Sequence, residues 1–140
     1  MHVIKNLLLA GLLAALWAGG CAAPDDPQVE HPADQATIKR IDAVKELEWD
    51  SNKRRSYHQI AMRGGLNDGG QVYLVKAVFE NLGLDSGKEV VLVALIMNPS
   101  FSPAAEKAIL DRIDSFSFEK SKQRVLRAIE VRKAVQPEQD

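Results

Sequence analysis

The chain repeats itself, and the repeat constrains the fold more than any other feature. Leu47-Glu-Trp-Asp-Ser-Asn-Lys53 aligns with Leu82-Gly-Leu-Asp-Ser-Gly-Lys88 after 35 residues and with Phe116-Ser-Phe-Glu-Lys-Ser-Lys122 after 34 more. The register continues inward: Trp49, Leu84 and Phe118 coincide, then Tyr57, Leu92 and Leu126, then Ile60, Leu95 and Ile129. The second halves agree as well, with Leu74, Val75 and Val78 falling on Ile109, Leu110 and Ile113. A unit of this length that recurs in sequence is one supersecondary structure, which buries its apolar face only by stacking on its neighbours.

Each unit has the grammar of a helical hairpin. Asp50-Ser51 and Asp85-Ser86 are placed to cap the first helix through their side-chain oxygens, and Ser86 with Glu89 fits a capping box. Asn67-Asp68 and Ser102-Pro103 are placed to start the second helix, with Pro103 suited to its first position. Val72, Val75, Val78, Phe79 and Leu82 form a stripe at helical spacing, as do Ala105, Ala108, Ile109 and Ile113. The third unit stops after one helix, 119–134. A first helix over about 35–47 supplies Ile38, Ile41 and Val44 as a lid.

The segment "VVLVALIM", 90–97, is apolar all round and β-branched, so alone it fits a buried strand. Its repeat partner "SYHQIAMR" has no strand pattern, which favours a helix at the centre of a bundle. The expected fold is therefore all-α: a small helical bundle of two and a half hairpin repeats, period 34–35, with an N-terminal capping helix. The period is that of tetratricopeptide arrays, whose Gly and Tyr positions are not matched. The Asp-Ser-x-Lys starts over about 47–132 resemble the short helical repeats of uncharacterised bacterial envelope proteins, a resemblance that implies no activity.

Upstream of the repeats the chain carries an address. Lys5 precedes an uncharged run from Leu7 to Trp17, then Ala18-Gly19-Gly20 and Cys21, the only cysteine. A charged start, a short apolar run and small residues make an export signal, and the run is too short to span a bilayer core of about twenty helical residues. Ala18-Gly19-Gly20-Cys21 resembles the lipobox of bacterial lipoproteins, although that family more often has Leu and then Ala or Ser where Ala18 and Gly19 stand. The resemblance implies cleavage between Gly20 and Cys21 and lipidation of Cys21, hence a membrane partner through a lipid anchor. An ordinary export signal cut nearby would instead leave Cys21 as a stray thiol, a liability in an oxidising compartment. Ala22, where inner-membrane lipoproteins carry Asp, implies the outer membrane if the cell has two.

The expected organisation is a lipoprotein signal peptide at 1–20, a disordered tether at 21–36, a helical repeat domain at 37–135 and a flexible tail at 136–140. Residues 22–36, "AAPDDPQVEHPADQA", hold three prolines and four acids with almost nothing large and apolar, too little burial to offset ordering entropy. Without the leader's Lys5, 17 Lys+Arg face 19 Asp+Glu. That balance excludes a nucleic-acid partner on charge grounds. A Cys21 consumed by lipid leaves no thiol for disulfides, zinc or thiol catalysis.

No catalytic constellation stands out. His58 has no histidine or carboxylate partner at helical spacing, and no Gly-x-Ser-x-Gly or His-Glu-x-x-His motif occurs. "RGGLNDGGQ", 63–71, lacks the lysine of a phosphate loop and the closing glutamate of a calcium loop; Gly64-Gly65 ends a helix and Gly69-Gly70 weakens the next start. The expectation is no enzyme, no cofactor and no metal. Lys53-Arg54-Arg55 puts three cations against a helix dipole, and Lys120, Lys122 and Arg124 recur at the corresponding place. Stacking would line both clusters along one edge as a basic rim for anionic headgroups or an acidic partner. The function expected is a lipid-anchored cell-envelope interaction module or adaptor acting on another envelope protein. The alternative is a small-ligand-binding protein or enzyme with an interhelical pocket: an exposed apolar groove favours the first, an enclosed polar pocket the second.

Overall fold

A computed structural model describes residue 29 and residues 31–136. The expected signal peptide, the expected cleavage site at Gly20, Cys21 as the expected lipidation residue, and most of the expected tether lie outside the described residues. Among those described, the chain is all-α: α1 (Gln35–Lys45), α2 (Asp50–Ala61), α3 (Asp68–Asn81), α4 (Asp85–Ile96), α5 (Pro103–Leu110) and α6 (Glu119–Val135), with a 3-10 turn at Ile113–Ser115. Short connections make successive helices antiparallel. The even helices α2, α4 and α6 pack side by side as one layer, and the odd helices α1, α3 and α5 as the other. One edge of the stack carries the starts of the even helices and the opposite edge their ends; we call these the lower and upper edges.

Residues 90–96 are helical, the second half of α4, and Met97 is its C-cap. Its position explains its composition, because α4 is flanked by α2 and α6 and backed by α3. Val91, Leu92, Leu95 and Ile96 are wholly buried while Val90 and Met97 remain exposed, so the helix keeps a solvent stripe despite its sequence. The repeat register holds in three dimensions, with Tyr57 and Leu92 fully buried, and Ile60, Leu95 and Ile129 all in the core between the layers. Ile41 and Val44 of α1 close that core at its front, as a lid should, while Ile38 is half-buried.

The helix starts divide into two kinds. Ser102 caps α5 through its hydroxyl (Ala105 N, 3.1 Å) with Pro103 at the first position, and Asn67 caps α3 through its amide oxygen (Gly70 N, 2.8 Å). The even helices behave otherwise. Their caps are Trp49, Leu84 and Phe118, with no side-chain cap bond. The expected roles of Asp50-Ser51 and Asp85-Ser86 are therefore corrected. Asp50 and Asp85 are the first helical residues, and they accept bonds from the next repeat: Gly83 N to Asp50 (3.0 Å) and Phe118 N to Asp85 (2.7 Å). The Ser86–Glu89 capping box does not form, because Glu89 binds Ser121 and Arg124 of α6.

The upper edge is tied in the same manner. Asn98 donates to Ala61 O and Arg63 O (both 2.8 Å), satisfying carbonyls left open where α2 ends. Arg132, at the corresponding place one repeat later, donates to Ile96 O (2.8 Å) and Pro99 O (3.2 Å). In the odd layer, buried Gln71 donates to Leu66 O and Ser100 O and accepts from Ser102 N. Each repeat thus holds its neighbour by polar bonds at both edges.

The N-terminal boundary falls earlier than 36/37. Asp34 caps α1 (Thr37 N, 2.8 Å), and the backbone oxygens of His31 and Pro32 accept from Gly69 N (2.8 Å) and Asn67 (2.9 Å). Residues 31–36 are therefore packed at the upper edge, beside the start of α3.

Candidate functional site

The lower edge carries the most exposed large apolar residues of the even layer's first turns. Trp49, Leu84 and Phe118 are 64%, 63% and 69% exposed. They occupy one register position in three successive repeats, so the geometry of the stack sets them in a row along a single edge. The fold gives them no role in burial, since the N-cap residue lies outside the helix and points past its end. Leu47 adds partly exposed apolar surface beside Trp49.

Behind this row stand the residues expected to form a basic rim. Lys53 is half-buried, Arg54 packs its methylenes against Gly87 of α4, and Arg55 is exposed. Arg54, Arg55, His58 and Val90 line a shallow depression of about 280 Å³. Across the layer, Lys120 is exposed, Lys122 pairs with Asp114, and Arg124 pairs with Glu89 (3.0 Å). The Asp114 hydrogen bond holds the Lys122 ammonium above its usual pKa range. The structure sets α4 between the two triplets, with Glu89 and Asp85 facing α6 and Lys88 held by Asp85. What results is two basic clusters divided by α4 rather than one continuous rim. Lys53, Arg54, Arg55 and Lys120 have no carboxylate partner among the described residues.

The principal groove lies at the front of the stack, between α1 and α2. It is an open trough of about 380 Å³ with Val44, Leu47 and Ile60 on its floor and Arg40 and Arg63 along its sides. A second hollow of about 210 Å³ shares Arg40, Ile60 and Arg63 and runs on to Asp34 and Gly65. Sequence reasoning missed this groove. Its only signal was that no repeat unit precedes α2, so that among the described residues no even helix covers one flank of that helix.

His58 is half-buried beside Arg54 and Arg55. Among the described residues no group of three or more His, Cys, Asp or Glu side chains could hold a metal ion, and no helix is long and apolar enough to cross a membrane. Tyr57 is the one buried side chain whose polar atom has no hydrogen-bond partner among the described residues. Burial pushes its hydroxyl up to about 12, against the opposing effect of the nearby Asn81 amide, whose nitrogen donates to Ala77 O (2.9 Å). Comparison with known proteins finds no family model, no curated protein and no solved structure that matches the chain.

Proposed function

We propose that this chain is a lipid-anchored adaptor of the cell envelope that presents its lower edge to another envelope protein. The observation that carries this reading is the row of Trp49, Leu84 and Phe118, exposed in register on the edge opposite the one where the tether arrives. Exposed large apolar side chains gathered along one edge form the kind of patch that marks an interaction surface. The partner that fits is a protein offering an apolar strip flanked by carboxylates, because Lys53, Arg54, Arg55 and Lys120 stand unpaired behind the row. An anchor at Cys21 would leave ten tether residues, 21–30, with a reach of at most about 35 Å. Such a tether would join the domain at its upper edge, opposite the row, and so leave the row free to face away from the bilayer.

The test places a photoreactive residue at Leu84 in the lipidated protein in intact cells. The reading expects one discrete protein adduct that disappears in Cys21→Ala, in Trp49→Ser with Phe118→Ser, and on replacement of Lys53-Arg54-Arg55 by Gln. An adduct to lipid, or an adduct indifferent to all these changes, contradicts it.

A further inference from the structure

Asn98 and Arg132 hold the same place in successive repeats, and each reaches back to the carbonyls that end the even helix before it. Arg63 holds that place in the first repeat, and among the described residues no even helix stands before it. Its side chain lines the front groove instead, with Arg40 across the trough and Val44 and Ile60 beneath. The back of the stack is open in the complementary sense: no helix among the described residues packs behind α6, which runs on to Val135, past the register at which α2 and α4 end. Positions that a following repeat covers are open there. Val75 and Ile96 are wholly buried, whereas their counterparts Leu110 and Glu130 are exposed, and Val131 and Val135 of α6 are exposed beside them.

We infer that the front groove takes the back end of a second copy of this chain, so that α6 of one molecule lies against α2 of the next as α2 lies against α4. By the same register Arg63 then falls at Glu130 of the neighbour's α6, where its guanidinium meets the carboxylate, a cation–carboxylate match at the end of an apolar seam. The two ends carry unlike surfaces, so the contact is head-to-tail and propagates as a chain of copies rather than closing as a two-fold dimer. Front-to-front pairing is disfavoured because it brings Arg40 and Arg63 against their own copies. Repetition along the stack keeps every tether on the same edge, which lets all copies reach one membrane.

This inference goes beyond the adaptor reading, and its test needs no other protein. Within the chain, Ser121 Oγ donates to Glu89 at 2.8 Å; the positions that correspond across the docked ends are Asn52 and Gln123. The full chain carrying Asn52→Cys and Gln123→Cys is treated with a short bismaleimide in cell envelopes and again after purification in detergent. The expected result is a ladder of dimers, trimers and larger species. Arg63→Glu or Glu130→Arg alone should lower the ladder at least tenfold, and the two together should restore it, with helicity unchanged by circular dichroism throughout. A dimer band alone, no ladder, or a ladder indifferent to charge reversal overturns the inference. A ladder with no adduct at Leu84 would uphold it while removing the adaptor reading.

Discussion

At the scale of single residues, the structure makes claims that stability measurements can check. The Tyr57 hydroxyl is buried without a partner, and such a group costs its desolvation. Tyr57→Phe is therefore expected to leave stability unchanged or raise it by up to about 1 kcal/mol, read from urea unfolding; a loss would show a bond that the geometry does not. Gly69 lies under the incoming chain, where a Cβ would stand 2.1 Å from Ala33 N and 2.5 Å from His31 O. Those are backbone atoms and cannot swing aside, so Gly69→Ala should cost roughly 1–3 kcal/mol by detaching residues 31–33. Gly64→Ala, with nothing near its Cβ position, is the control. At Asp34 the Thr37 backbone N–H and hydroxyl hold the carboxyl below its usual range. A depressed folded-state pKa contributes stability that is present above about pH 4 and lost as pH falls through the lower folded value. Asp34→Asn should keep the cap but remove that acid dependence from the unfolding curve.

At the scale of helices, much was legible in the sequence. Periodicity placed α3 and α5, Ser102-Pro103 and Asn67 announced their caps, and the repeat overrode the strand-like composition of 90–97. The even helix starts were misread for a physical reason: an aspartate suited to capping its own helix is equally suited to accept an N–H from a neighbour, and only the stack decides which is nearer. The same holds for Asn98, Arg132 and Gln71, whose bonds span 29 to 37 residues and leave no local trace. Asp50 and Asp85 then offer a comparison of like with like. Asp85 is almost wholly buried and binds Phe118 N, whereas Asp50 is more open. Asp85→Ala should lose about 1.5–3 kcal/mol and Asp50→Ala about 1 kcal/mol or less, measured by chemical denaturation. Equal losses would mean that these bonds do not join the repeats unequally.

At the scale of the whole molecule, the proposed adaptor would use its two edges differently. Residues 31–33 pack at the upper edge, and the lower edge displays Trp49, Leu84 and Phe118 about one helix length away. The row was visible in the sequence as aligned apolar residues but reads there as core, because alignment reports likeness and not exposure. The division of edges is the account's central claim, and Trp49 reports on it directly. The sequence has two tryptophans, and cleavage before Cys21 would remove Trp17 with the leader, leaving Trp49 as the only one in the lipidated protein. The decisive measurement is quenching of Trp49 fluorescence in the lipidated protein on liposomes, by brominated acyl chains and by aqueous acrylamide. The account predicts strong quenching by acrylamide and none by the brominated lipid. Quenching by brominated lipid would place the row in the bilayer and contradict the account.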